Sequence, residues 1–268
     1  MKAKTIIIGI LAAAVLVGTS AAQSYGEKSR PDSVGDIVFD DGSATAWHEG
    51  LRLTDEQKMS AVAVIFYVGT ECSNNGEKRI LGVGLAQKHL LWCTEDASAY
   101  SVNIATIQCE ESGSKGMSTF SGDKDGSDNL EQMGAYLSEN GIENDTAYKS
   151  HYPAFYFAKN YAEEVEESNV FGTKFGSGWY LPSSAELFQI WKSRETVNAA
   201  LASCGGGMPF DLEDGCYWSS TQAASLDYFA LSLVFSDGGF GMSSKYYGND
   251  CACAIRAFHT VSADKSRF

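Results

Sequence analysis

The sequence is short of positive charge: 20 Lys and Arg stand against 34 Asp and Glu, a formal net charge of −14. Phosphate backbones are held by basic patches, so no nucleic-acid partner is expected. The acidity itself reads as solubility rather than as a demand for a basic ligand. Beyond the first residues no run is long and charge-free enough to cross a bilayer, so no transmembrane span is expected. The first cysteine is Cys72, so the acylation site of a lipid-anchored precursor is missing. A loose lipobox altered near Ala21 would look much the same, and a lipid anchor in the native precursor stays open. The CxxC and Cys/His spacings of zinc sites are absent, and His48, His89, His151 and His259 are scattered without a ligand set. Asp123, Asp125 and Asp128 invite a calcium reading, but Gly126 falls at position four of an EF-hand loop, where position six is required. The stretch 110–128 is therefore expected to be a long solvated loop, and neither a metal nor another cofactor is expected. No Ser-His-Asp triad or paired-carboxylate arrangement can be argued from the remaining residues.

What is present begins with a leader. Lys2 and Lys4 precede an apolar run from Thr5 to Val17, and Ser20-Ala21-Ala22 offers small residues for cleavage, so residues 1–22 read as a signal peptide. The chain is expected to be exported, to the periplasm or the cell surface, with 23–268 as one domain. Seven cysteines in an exported chain allow up to three disulfides. Cys204 and Cys216 bracket a Gly-rich loop and are the expected pair, whereas Cys251 and Cys253 face one side of a strand and are poorly placed to bridge each other.

Local patterns predict the elements. Val34, Ile37 and Phe39 alternate before a turn at Asp41-Gly42. Thr54 with Gln57 forms a capping box for a helix over 54–63, followed by strands in "AVIFYVG" and "RILGVGLAQKHLLWC", with Trp92 in the core. Helices are predicted over 129–139, 153–164 and 183–203, the second opening on Pro153 and the third capped by Ser183 or Ser184 with Glu186 in its first turn. "CYWSST", "YFALSLVF" and "CACAIRAF" read as strands. Phe229, Leu231, Leu233 and Phe235 share one face and are expected to be buried scaffold, as are Trp179, Trp191, Trp218, Ile255 and Arg256.

"GSGWYLPSSAEL", "YWSST" and "AIRAF", in that order near the end of the chain, resemble the C-terminal halves of the formylglycine-generating-enzyme branch of the C-type lectin fold. More narrowly, the chain resembles the variable proteins of diversity-generating retroelements, of the Treponema variable protein type. The motifs cover about the last 90 residues. The resemblance implies an α+β fold with a small twisted antiparallel sheet flanked by helices, and a ligand-binding segment near 217–258 whose adenine-rich codons are diversified on a fixed scaffold. It implies a non-enzymatic protein that binds a protein or surface ligand.

Composition is a weaker, independent argument: ordinary turns use the same small residues, so on composition alone the segment reads as a plain loop, and its position framed between two strand motifs is what points to binding. The stretch from Ser236 to Asp250 is dominated by Gly, Ser, Tyr, Asp and Asn, the mixture used by antibody paratopes, in which tyrosine supplies rigid contact area. The expected ligand-contacting residues are Ala223, Ser225, Asp227, Tyr228, Asp237, Gly239, Phe240, Gly241, Ser243, Tyr246, Tyr247 and Asn249. The alternative is an oxidase or modifying enzyme of the same fold. It would need a reactive cysteine pair, and only Cys251 and Cys253 are candidates, at a spacing narrower than that of the formylglycine-generating pair. A calcium-dependent sugar-binding lectin lacks its carboxylate-proline motif here.

Overall fold

Thr54 accepts a hydrogen bond from Gln57 N, and Gln57 Oε1 accepts one from Thr54 N, closing the expected capping box at the start of α1 (Asp55–Ser60). The helix stops where the β-branched and aromatic run of β3 (Ala61–Gly69) begins. The computed structural model describes residues 30–258 apart from Ser225, so the leader over 1–22, His259 and Ser225 lie outside the described residues.

β3 is the hub of the N-terminal half. It pairs antiparallel with β1 (Ile37–Phe39), which carries the two-residue β2 (Ala44–Thr45), and with the long β4 (Arg79–His89). β11 (Cys251–Ala257) adds to the other side of β4, antiparallel, and so joins both halves of the chain in one sheet. Beyond β11 lie β8 (Cys216–Gln222), parallel to it, then β9 (Phe229–Val234) and β10 (Gly239–Ser244); β7 (Trp179–Tyr180) also pairs with β11. The fold is thus α+β with a nine-stranded, largely antiparallel sheet rather than a small one. The reason is β11, whose central residues are all buried and which therefore needs partners on both edges.

The stretch expected as a loop holds a separate hairpin of β5 (Cys109–Ser112) and β6 (Thr119–Gly122). The other helices fall within or close to the predicted spans: α2 (Asn129–Glu139), α3 (Pro153–Lys159), α4 (Tyr161–Glu164), α5 (Ser184–Lys192) and α6 (Arg194–Leu201). Breaks at Asn160 and Ser193 split two of the predicted helices. Trp92, Trp179 and Trp218 are buried, and Trp191 is half-buried with its indole N–H on Phe235 O. No disulfide forms: all seven cysteines are free. Cys204, in the turn just past α6, bonds from Sγ back to Ala200 O at 3.3 Å, so in place of the expected Cys204–Cys216 pair its thiol turns onto the last turn of that helix.

Ser183 caps α5, and Glu186, 0% exposed, completes the capping box and holds three further elements. Its carboxylate accepts from Ser183 N, Gly126 N, Tyr180 Oη and Arg79 Nη1, all within 3.0 Å. Arg79 also donates to Cys72 O and pairs with Asp125 at 2.8 Å. Burial pushes the Glu186 carboxyl up to about 7 against the opposing pull of Arg79 and the Ser183 N–H. Truncation leaves Asp125 as the one carboxylate paired with Arg79 and two buried N–H groups without acceptors. Glu186→Ala is expected to cost ~3–5 kcal/mol in urea unfolding, and Glu186→Gln, which keeps the shape and one acceptor, clearly less. Equal losses for the two variants would contradict this role.

Candidate functional site

The Gly- and Ser-rich stretch after β9 has little intrinsic strand propensity, yet it folds as β10 because β9 offers it a template: Gly239 lies opposite Val234 and Ser244 opposite Phe229. The expected loop is therefore a hairpin at the edge of the sheet. Phe240 turns inward and packs against Phe120 and Phe188, with ring centroids 5.6 and 6.4 Å away. Met242 is exposed, and Ser243 Oγ meets Ser232 Oγ across the pair at 2.8 Å. Gly239 is buried and Gly241 half-buried.

The chain leaves β10 through Lys245, whose side chain is 0% exposed although lysine is among the residues least often buried. Its ammonium donates to Ala99 O at 2.7 Å, Tyr100 O at 3.2 Å and Val102 O at 3.4 Å, and sits 5.0 Å above the Trp92 ring. Trp92 is itself fixed by its indole N–H on Ser219 O. Burial holds this ammonium down, to about 8. Five residues on, Asp250 is buried beside Ser232 and Ser243, its O bonded to Leu90 N and its carboxyl raised by burial. Between these two buried charges Tyr246, Tyr247, Gly248 and Asn249 are all exposed, the tyrosines at 50% and 49%. Asn249 Nδ2 donates to Tyr247 Oη at 2.9 Å and Asn249 O meets His89 Nδ1 at 2.7 Å, so the turn is ordered from within.

A second segment meets the same surface. Lys245 N donates to Tyr228 O, and the Tyr228 ring stands edge-on to Tyr100 at 5.2 Å, itself half exposed. Leu226 and Asp227 are exposed beside it, and Gln222 holds this loop by donating to Val102 O and Asp227 O.

The expected contact residues divide accordingly. Asp227, Tyr228, Tyr246, Tyr247 and Asn249 gather round Lys245. Ala223 is buried, its N–H on Phe229 O, and cannot meet a ligand. Asp237 and Phe240 lie toward the far end of the β9–β10 hairpin, some 20 Å away by strand geometry; there Asp237 pairs with Lys115, which holds its carboxyl below the usual range. The expected scaffold face is also corrected: Leu233 and Phe235 are buried, but Phe229 and Leu231 are only half-buried, while Ala230 and Ser232 on the opposite face are buried. β9 is covered on both faces, and strict alternation fails for a strand so placed. Sequence reasoning missed Lys245 and Asp250 as anchors, and Leu226 and Met242 as exposed apolar contacts; a lone lysine in a polar run gives no signal of burial.

Cys251 and Cys253 lie on one face of β11, as expected, against the core cluster of Tyr217 and Leu233. Burial pushes the Cys251 thiol up to about 11 and that of Cys253 higher still. Such thiols stay protonated at neutral pH and are weak nucleophiles. Among the described residues no group of His, Cys, Asp and Glu is placed to hold a metal ion, and no helix is long and apolar enough to cross a membrane.

Neither protein-family models nor curated proteins match the chain. Among solved structures, a fimbrial protein from Bacteroides ovatus is similar in fold, with a TM-score of 0.52 and 16% identity over 83% of this chain. The chain spans about half of that protein, 48% of its length.

The split between anchors and displayed rings predicts opposite stability effects. Lys245→Ala is expected to cost ~2–4 kcal/mol, through a cavity and the loss of the ammonium donor to Ala99 O and Tyr100 O, Val102 O keeping that of Gln222, whereas Tyr246→Ala and Tyr247→Ala stay within ~0.5 kcal/mol. The ammonium also sets a pH dependence. Its folded-state value, about 8, lies below the ordinary 10.5, so in that window the unfolded chain binds more protons and stability rises with pH. The wild type should therefore gain on Lys245→Met between those pH values; a flat difference in melting temperature would contradict the buried cation.

Proposed function

We propose that the chain is an exported, non-enzymatic ligand-binding protein, of the C-type lectin type suggested by its motifs, presenting a tyrosine surface on a fixed scaffold. The observation that carries this reading is the bracket of Lys245 and Asp250, two buried charges between which four consecutive residues are exposed. Such a turn tolerates substitution of its displayed residues while its ends stay fixed, the property that retroelement diversification requires. Tyr228, Tyr246 and Tyr247 supply rigid contact area at low entropic cost, and Asp227 and Asn249 supply adaptable hydrogen bonding. The ligand is a protein or other surface partner rather than a nucleic acid, since the chain is acidic. Placement at the cell surface or in the periplasm is supported by the leader and is compatible with a fimbrial protein of similar fold. The protonated state of Cys251 and Cys253 gives no support to thiol chemistry of the formylglycine-generating kind.

Resequencing the gene from several isolates tests the diversification. Substitutions should cluster at exposed positions within 226–228 and 242–249 and spare Ala223, Lys245 and Asp250. A spread that is uniform along the chain, or that includes the two anchors as often as the tyrosines, would sink the proposal. The non-enzymatic part has its own check: replacing both Cys251 and Cys253 with serine should abolish no turnover, and a thiol- or sulfatase-peptide oxidation lost in that double variant would overturn it.

A further inference from the structure

β11 runs from the tyrosine surface, at Cys251, to a cleft at its other end, some 20 Å away by strand geometry. The cleft holds about 980 Å³, at the upper end of the ~300–1,000 Å³ typical of small-molecule sites. Its walls come from the start of β4, from α2, α3 and α4, and from the glycine-rich turn 176–178 before β7.

Half of the charged residues on these walls are paired. Arg79 is held by Glu186 and Asp125, and Lys159 pairs with Glu131 at 2.6 Å. Glu77, Glu163 and the exposed Lys78 also line the cleft, and neither carboxylate pairs with Arg256. Arg256, at the end of β11, is different. Its guanidinium carbon lies 4.9 Å from the Phe175 ring centroid and 5.7 Å from that of Phe258, both rings being buried, so the group is held flat in one orientation. Among the described residues its one hydrogen bond runs from Nη1 to Ser177 O, Nε is buried without a partner, and no carboxylate forms an ion pair with it. Gly178, at φ +83°, lets the backbone pass the guanidinium, a Cβ there falling 3.7 Å from its carbon. In a chain with a large excess of acid, a half-buried arginine on a cleft wall with no carboxylate paired to it among the described residues is chemically suited to receive an anion.

We propose that this cleft binds a small molecule bearing a carboxylate, received by the outward-facing guanidinium N–H groups of Arg256. A planar carboxylate matches the guanidinium fork, and Glu77 and Glu163 on the walls disfavour ligands of higher negative charge. The site is separate from the tyrosine surface and does not rest on it. Two sources supply such a group: an acidic sugar, or the free C-terminus of a peptide.

The test titrates the full chain, by NMR, with D-glucuronate and with the tripeptide Ala-Ala-Ala, each beside its neutral amide. At least one acid is expected to shift the Arg256 Nε–H and Gly178 N–H signals saturably below ~10 mM, with its amide at least about tenfold weaker. Arg256→Gln should abolish the shifts of Gly178 while retaining a cooperative melt. Response to glucuronate alone identifies the sugar source, and response to the tripeptide alone the peptide source. If Arg256→Gln fails to fold, the acid-against-amide comparison on the wild type decides. No saturable shift with either acid, equal binding of acid and amide, or shifts that persist in folded Arg256→Gln would overturn the proposal.

Discussion

A charge taken out of water has to be surrounded by partners, and two such charges organise this molecule. Glu186 is fully buried and draws in the α5 cap at Ser183, the Tyr180 hydroxyl of β7, Arg79 of β4 and the turn at Gly126. Polar segments that would otherwise be solvated are thereby fixed against the sheet. Lys245 does the same at the end of β10, tying it to the carbonyls of residues 99, 100 and 102 over Trp92. Apolar burial supplies most of the stability of such a core, but it is non-directional. The two charges supply direction, because a donor or acceptor left without its partner costs more than a formed pair gains.

The consequence is a chain whose irregular regions are held at their ends and exposed in their middles. Segment 245–250 is the clearest case, with Lys245 and Asp250 buried and the tyrosines between them in solvent. The loop before Phe229 follows the same plan, Gln222 holding its base while Leu226, Asp227 and Tyr228 face outward. At the opposite end of β11 the arrangement inverts: the strand ends on a guanidinium clamped between two phenylalanine rings and turned toward a cleft.

Helix starts were legible because their chemistry is local: Thr54 with Gln57, Pro153, and Ser183 with Glu186 each satisfy backbone donors within three residues of themselves or need none. β3, β8, β9 and β11 were legible from their apolar and β-branched content. β10 was not, since Gly239, Gly241, Ser243 and Ser244 become a strand only by pairing with β9, a tertiary effect that no local propensity carries. Which face of β9 is buried was misread for a related reason, because period-two alternation assumes one wet face. Of the candidate site, Tyr228, Tyr246, Tyr247 and Asn249 are exposed as the framed position of the segment led one to expect, whereas Ala223 is buried and Phe240 half-buried, and the anchors went unseen. The disulfide expected between Cys204 and Cys216 failed because spacing in sequence says nothing of where a thiol points.

In the proposed function the tyrosine turn is a contact surface, and photo-crosslinking tests that most directly. A benzophenone side chain placed at position 247, in the cell that makes the protein, should yield a discrete crosslinked product. Placed at Met117 or Phe171, which are at least as exposed but lie outside the turn, it should yield none. Products of equal intensity from all three positions, or none from position 247 under conditions in which the protein is exported and folded, would contradict the account.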